Sequence, residues 1–188
     1  MKKLIIVLGA CVLLAACGSS SSSERTASCD YAYWDGTIGT CLPTGWHVVD
    51  RQGLDQRGVP RDVIVAFQSD TAASGQFPTV TVTREALAQP ITSVSYSEAS
   101  VESVKSLPGF QEIDLRKQVI DDADLKIHIF GAQPRTDAPK TRFYQLSAAS
   151  GNYGYTYTAA VPLSVESGLE NQLLLILGNV TFRKPTGK

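Results

Sequence analysis

The sequence predicts an α+β fold in which an antiparallel β-sheet packs against two main helices. Most segments with alternating apolar and polar residues follow one another through connections of hairpin length, which is typical of antiparallel pairing. Two segments, residues 93–107 and 167–177, instead repeat their apolar residues at helical spacing. A sheet with an apolar face needs a covering layer, and the two helices supply it.

Three strands are predicted before the first helix. Pro43 and Gly45 mark a turn that leads into the β-branched residues of a strand at 46–49. A short apolar run at 63–67 predicts the second strand. Val80 and Val82 alternate with threonines and predict the third.

Residues 93–107 predict the first helix. Ser95 and Glu98 have the spacing of a capping box, and Pro108-Gly109 ends the segment. Between these signals, apolar residues recur at helical spacing at Val101, Val104 and Leu107.

Two hairpins are predicted next. Residues 113–119 and 125–129 are joined by the acidic turn Asp121-Asp122-Ala123-Asp124. Residues 143–149 and 153–161 are joined across Ser150-Gly151-Asn152, a composition suited to positive backbone dihedrals.

The last predicted helix is unusually apolar. Ser167 and Glu170 suggest a capping box, Gly178 stands where a C-terminal cap belongs, and residues 180–182 resume an extended form. Residues 173–177 are all apolar, so we expect this helix to be buried on most sides against the sheet.

The amino terminus predicts a bacterial lipoprotein signal. The charged start Met1-Lys2-Lys3 precedes an apolar run that ends in Leu14-Ala15-Ala16-Cys17, which resembles a lipobox. The run is shorter than the roughly 20 residues that span a bilayer. We therefore expect residues 1–16 to be a signal peptide and Cys17 to be the lipidated first residue of the mature protein, which is anchored to a membrane.

The remaining chain divides into a tether and one domain. Residues 17–28 are rich in serine and predict a polar tether, and residues 29–188 have the composition of a single globular domain. Gly18 stands where aspartate is typical of retention in the inner membrane, so the expected location is the cell envelope, at the periplasmic face of the outer membrane. The formal charge changes from −1 to about −3 when Lys2 and Lys3 leave, which argues against a nucleic-acid partner.

Cysteine usage predicts one disulfide bond. Cys11 lies in the leader and Cys17 would carry lipid, so Cys29 and Cys41 remain, and export delivers them to an oxidising compartment. The alternative is a metal site that combines both cysteines with His47 and His128. Their spacing matches no zinc pattern, so we expect the bridge and no metal or other cofactor.

No catalytic motif is present in the sequence. With two histidines and no Gly-x-Ser-x-Gly elbow, few nucleophile and base combinations exist. His128 is expected on the polar side of its strand, and both histidines are expected to be solvated or satisfied. The acidic group at Asp121, Asp122 and Asp124 fits a hairpin turn better than a calcium loop.

Three tyrosines form the candidate partner-binding surface. Tyr153, Tyr155 and Tyr157 share one side of a strand, because side chains alternate with period 2. They can be core residues beneath a helix, or a docking surface of the kind in which tyrosine is favoured. The aromatic loop at 30–36 presents a similar choice between a lid over the core and an exposed contact patch.

Residues 41–184 resemble a known family. Leu42-Pro43-Thr44-Gly45-Trp46 is similar to the Pro-x-Gly-Trp start of the first strand in PsbP-type proteins, and residues 173–183 are similar to their final helix and the strand after it. This family includes photosystem II PsbP, Mog, and bacterial lipoproteins of the DcrB and LpqN kind. The resemblance implies an α/β/α sandwich and an accessory binding role without enzyme activity, and it transfers no binding residues to this chain.

The leading functional hypothesis is therefore a membrane-anchored envelope lipoprotein that binds another envelope protein without catalysis. A carrier of a small ligand or metal is the second hypothesis, and an apolar cavity with converging polar groups would favour it. A hydrolase is the third, and it requires His47 or His128 within hydrogen-bond reach of a serine.

Overall fold

The structure, a computed structural model, describes residues 27–184. The predicted signal peptide, Cys17 and most of the predicted tether therefore lie outside the described residues. The elements in chain order are β1 (Tyr31–Trp34), β2 (Gly39–Leu42), β3 (Trp46–Val49), α1 (Arg51–Gln56), β4 (Val63–Ser69), β5 (Thr79–Ala86), α2 (Ser93–Val104), β6 (Gln111–Ile120), β7 (Ala123–Ala132), β8 (Thr141–Ser150), β9 (Tyr153–Val161) and α3 (Ser167–Gly178).

Seven of the strands form one antiparallel sheet in the order β3-β4-β5-β9-β8-β7-β6, and β1 pairs with β2 in a separate hairpin. Helix α3 contacts one face of the sheet, where Trp46 bonds Gln172. Helix α2 contacts the opposite face, where Ser100 bonds Ser147, and α1 packs on β3 and β4. The chain is therefore an α/β/α sandwich, and the predicted α+β class is confirmed.

The main core lies between the sheet and α3. The helix contributes Leu173, Ile176 and Leu177, all fully buried, as its apolar sequence predicted. The β1–β2 hairpin covers part of the same core, with the Tyr33 ring edge-on to Phe67 at 5.1 Å between centroids. Tyr33 of the aromatic loop thus acts as a lid, the first of the two alternatives that the sequence left open, whereas Tyr31 of the same loop is 55% exposed.

Both predicted hairpin turns are tight. Asp121 and Asp122 have φ of 48° and 73°, and they connect β6 and β7 as a two-residue turn. Gly151 has φ of 60° in the two-residue turn between β8 and β9. Positive φ at these positions gives the backbone twist that matches the flanking strands.

The helix caps differ from the predicted capping boxes. Helix α2 begins one turn earlier, because the Thr92 hydroxyl accepts the Ser95 N–H and serves as the N-cap. In α3 the N-cap is Glu166, which makes no side-chain cap bond, and the C-cap is Asn179 rather than Gly178. In α2 the N-cap lies three residues before the serine that the pattern favoured, and in α3 it lies one residue before it.

Three elements were not predicted, and one predicted strand is absent from the described residues. The four-residue strands β1 and β2 and the six-residue helix α1 are too short to show a repeating pattern. Residues 180–182 form no strand in the part of the chain that the structure describes. Thr181 instead makes an isolated bridge with Gly39.

Strand β6 forms one edge of the sheet and is mostly exposed. A register shift between Glu112 and Asp114 leaves Ile113 as an extra residue opposite β7, a β-bulge. Charged side chains follow along the strand, and the Asp114 carboxylate accepts the N–H of Leu115 at 2.8 Å.

Candidate docking surface

The described residues leave one face of the sheet uncovered between α1 and α2. Its side chains come from alternate positions of four neighbouring strands, because successive residues of a strand point to opposite faces. They carry hydroxyl or amide groups, are half-buried or buried, and bear no charge: Gln68 from β4, Thr79, Thr81 and Thr83 from β5, Thr156 and Thr158 from β9, and Gln145 and Ser147 from β8. We call these eight residues the threonine face.

Strand register places the threonines in pairs. Thr81 lies opposite Thr158, and Thr83 lies opposite Thr156. The hydroxyls of Thr81 and Thr83 donate to the carbonyls of Thr158 and Thr156 at 3.2 and 3.4 Å. The paired side chains therefore lie close to the backbone, and the surface between the helices is shallow.

Amide groups extend the same network to both sides. The Gln68 amide donates to Thr79 at 3.2 Å, and the Gln145 amide donates to Thr158 at 3.5 Å. The Gln145 Oε1 atom is buried and accepts no hydrogen bond. A buried acceptor without a partner costs free energy, which offsets part of the stabilisation from this network.

Helix α2 borders the threonine face and makes a cleft of about 480 Å³ with it. Tyr96 is the main contact, since its hydroxyl donates to Glu85 at 2.7 Å and lies 3.4 Å from the Thr156 hydroxyl. Burial is the largest effect on this phenol, and it raises the pKa of Tyr96 to about 12. Tyr96 therefore stays protonated and holds α2 against the sheet as a hydrogen-bond donor.

The tyrosines proposed from sequence lie on the opposite face of the sheet. Tyr155 and Tyr157 are 1% and 0% exposed in the core beneath α3, so the docking interpretation is wrong for these two. Burial raises the pKa of Tyr157 well above its usual value. Only Tyr153 is exposed, because it lies at the end of the strand, where the Arg84 guanidinium lies 4.9 Å from its ring centre.

The sequence pattern contained the threonine face but did not reveal its role. The alternation at 79–83 correctly predicted a half-buried strand, with its threonines on the polar side. Thr156 lies between Tyr155 and Tyr157, and Thr158 follows Tyr157, but the tyrosines of β9 suggested the opposite face as the binding surface. Which face is left open depends on where the helices pack, and alternation alone does not carry that information.

The two histidines have different surroundings, and neither hydrogen-bonds to a serine in the described region. His47 Nδ1 lies 2.5 Å from a carboxylate oxygen of Asp70 at the surface. His128 was expected on a solvated strand face, which is wrong. It is 1% exposed because α2 and Phe110 cover it, and neither ring nitrogen has a hydrogen-bond partner.

The predicted bond between Cys29 and Cys41 is present, with the two Cα atoms 5.5 Å apart. The cysteines are therefore not metal ligands.

Asp121 accepts hydrogen bonds from Thr181 and Phe182, and Asp122 pairs with Arg183, so the acidic turn holds the C-terminal segment. Among residues 27–184, no group of three or more histidine, cysteine, aspartate or glutamate side chains could hold a metal ion.

A second cleft of about 460 Å³ lies at the end of the sheet where α3 begins. It is bounded by the turn at 43–45, the β4–β5 loop at 70–78 and the connection from β9 to α3. Like the first cleft, it is open to solvent and has mixed polar and apolar walls.

None of the helices in the described region is both long and apolar enough to cross a bilayer.

Comparison with known proteins adds structural relatives only. No family model matches the chain, and no curated protein matches it. The crystal structure of LpqN, a Mycobacterium tuberculosis protein involved in cell envelope biogenesis, superposes with a TM-score of 0.57 at 14% identity, over 80% of this chain and 88% of that one. The solution structure of cyanobacterial PsbP from Synechocystis sp. PCC 6803 superposes with a TM-score of 0.53 at 11% identity, over 89% and 99% of the two chains. These two superpositions confirm the PsbP-like fold.

Proposed function

Because the chain has the PsbP-like fold of LpqN and cyanobacterial PsbP, we propose that it is a lipid-anchored protein of the bacterial cell envelope that binds another envelope protein without catalysis. The lipobox at residues 14–17 supports the anchor. The role of LpqN in cell envelope biogenesis supports the location. A fold alone does not determine function, so the binding role is argued from the exposed surface.

The anchor is the thioether-linked lipid on Cys17. Radiolabelled palmitate should enter the wild-type protein and should not enter a Cys17→Ala variant. Cys11→Ala provides the matched control, because Cys11 lies inside the predicted leader and its loss should leave labelling unchanged. Equal labelling of the Cys17→Ala variant would contradict the anchor.

The open threonine face carries the binding proposal. Protein interfaces that form and dissociate are about as polar as the rest of the surface and contain bridging water, so a shallow face of hydroxyls and amides suits such contacts. The partner should present polar hydrogen-bonding side chains to this face.

Site-specific photocrosslinking in the native envelope tests the docking surface. A photoreactive amino acid at Thr81 should capture one protein, whereas the same group at the exposed Lys117 on edge strand β6 should not. Thr158→Arg places a large cation opposite Thr81 and should abolish the capture without lowering the melting temperature. Capture that is equal at both positions, or unaffected by Thr158→Arg, would show that this face is not the docking surface.

The ligand-carrier hypothesis is less well supported. Small-molecule sites usually enclose most of the ligand surface within mainly apolar walls. The two clefts of about 460 and 480 Å³ are open and mixed in polarity. The protein-binding hypothesis therefore fits the described surface better.

A further inference from the structure

His128 lies in a row of polar side chains that crosses the sheet. In strand register it stands opposite Gln145, which stands opposite Thr158, which stands opposite Thr81. Gln145, Thr158 and Thr81 belong to the open threonine face, whereas His128 is 1% exposed because α2 and Phe110 cover it. Of these four side chains, the one that titrates near neutral pH is therefore the one that is buried.

Aromatic rings surround the imidazole of His128. The ring centroid of Phe130 lies 4.7 Å from that of His128, and the centroid of Phe110 lies 6.0 Å from it. Phe143 stacks on Phe130 with 5.1 Å between centroids, and we call these four residues the aromatic cluster. Neither ring nitrogen of His128 has a hydrogen-bond partner, so a protonated imidazole here would lack the solvation that water provides.

The charged groups that face His128 do not compensate for its burial. From β6, the Glu112 carboxylate lies 3.7 Å from Nε2, but its side chain is 47% exposed, so water screens the attraction. From α2, Lys105 and Glu102 pair with each other at 2.6 Å, so their effects on His128 oppose one another. The charged side chains two positions along the same sheet face are both cationic: Lys117 of β6 and Lys126 of β7. A proton on His128 is therefore disfavoured while the cover stays closed.

The cover over His128 includes a short connection, residues 105–110, that follows α2. Within it the Phe110 N–H donates to the carbonyl of Leu107, and the Gln133 N–H, directly after β7, donates to the carbonyl of Pro108 at 2.8 Å. The main core lies on the opposite face of the sheet, beneath α3. The connection can therefore move off the sheet without opening the main core.

We propose that His128 is an acid-sensitive switch: when its imidazole binds a proton, residues 105–110 move off the sheet and water reaches the aromatic cluster. The main core and α3 stay folded. Opening exposes the rings of Phe110 and Phe130 beside the threonine face, so acid changes the surface that α2 borders. The switch is independent of the anchor and of docking, since it rests on described residues alone.

Proton binding favours the open form. In that form His128 is solvated and has its ordinary pKa of about 6.5, whereas burial lowers the pKa of the closed form. The ratio of open to closed protein therefore rises up to about tenfold for each pH unit below about 6.5, until the pKa of the closed form is reached.

Hydrogen exchange measured between about pH 5 and about pH 8, without urea and in low urea, tests the switch. The amides of Leu107, Phe110 and Gln133 report on the connection, because opening breaks their hydrogen bonds. The amides of Leu173 and Ile176 in the buried helix α3 report on unfolding of the whole domain. We expect the connection amides to be less protected than those of α3, with protection that falls up to about tenfold per pH unit below about 6.5 and does not respond to low urea.

His128→Phe should remove this pH dependence from the connection amides, because phenylalanine fits the aromatic cluster and binds no proton. His47→Asn is the matched control, since His47 is exposed beside Asp70, and it should leave the dependence unchanged. An unchanged dependence in His128→Phe would overturn the switch. Equal protection and equal urea response of the two sets of amides in the wild type would also overturn it, because the connection would then open only when the whole domain unfolds. This wild-type comparison decides the matter even if His128→Phe fails to fold.

Discussion

The ring of Tyr96 lies against Gly154 so closely that a Cβ atom at position 154 would be 2.3 Å from the ring carbon Cζ. Gly154 is in β9, on the sheet face that α2 covers, and Tyr96 is the buried aromatic of α2. The absence of a side chain at position 154 therefore sets how near α2 approaches the sheet.

Gly154→Ala should force α2 away from the sheet and destabilise the fold. Overpacking of this kind costs about 1–3 kcal/mol, which urea unfolding measures directly. Gly168→Ala in α3 is the matched control, since nothing lies within 4 Å of its Cβ position and alanine favours a helix, so it should not lower stability. A neutral effect of Gly154→Ala would show that α2 adjusts freely.

His128 makes stability depend on pH. Burial lowers the pKa of His128, although the Glu112 carboxylate 3.7 Å away raises it. At the end of α2, the Lys105 ammonium lowers this pKa further and the Glu102 carboxylate raises it. The folded pKa of His128 lies below the unfolded value of about 6.5, so the folded protein has its full stability above about pH 6.5. This stability decreases as the pH falls from about 6.5 to the folded pKa, because the unfolded chain binds a proton at His128 and the folded chain does not.

Urea unfolding at a series of pH values checks this dependence. Each unit between the folded and unfolded pKa is worth about 1.4 kcal/mol. His128→Phe should flatten the profile in this range, because a phenylalanine fits between Phe110 and Phe130 and does not titrate. A profile that is equally steep in the variant would assign the effect to other groups.

Alanine substitutions at Tyr155 and Tyr153 should lower stability by different amounts, because one ring is buried in the core and the other is exposed. Tyr155→Ala removes a ring that is 1% exposed and should cost about 3–5 kcal/mol, as for other large core truncations. Tyr153→Ala removes a ring that is 42% exposed and should cost far less. Similar melting temperatures for the two variants would contradict the burial of Tyr155.

Loss of the disulfide should destabilise the lid. The bond closes a loop of 12 residues, and the chain-entropy model assigns about 3 kcal/mol to such a loop. A Cys29→Ser/Cys41→Ser variant should therefore unfold at lower urea, and wild type treated with reductant should match it. Added reductant should not affect the double variant.

Sequence patterns predicted the elements whose residues alternate or repeat over many positions. Strands β4, β5 and β7–β9 and helices α2 and α3 follow this rule, because their buried faces impose regular spacing. Strand β6 was located correctly, yet Val119 and Ile113 are exposed, since an edge strand has little to pack against. The prediction for His128 is wrong in the opposite sense. Its polar side chain suggested a solvated face, whereas the packing of Phe110 and α2 buries it.

Local sequence patterns could not predict which face of the sheet is exposed. Three tyrosines on one strand face suited either a core or an interface, and the position of α3 decides between them for Tyr155 and Tyr157. The threonines on the other face became a candidate surface only because α1 and α2 leave a gap above them. Helix placement is a tertiary property, so no reading of β5 or β9 alone could supply it.

The bulged and charged edge at β6 has a consequence for aggregation. An unprotected edge strand is a template on which a second sheet can grow. The extra residue Ile113 and the Asp114 carboxylate on the Leu115 N–H interrupt that template. Neighbouring copies can therefore collide at high density without polymerising through their sheets.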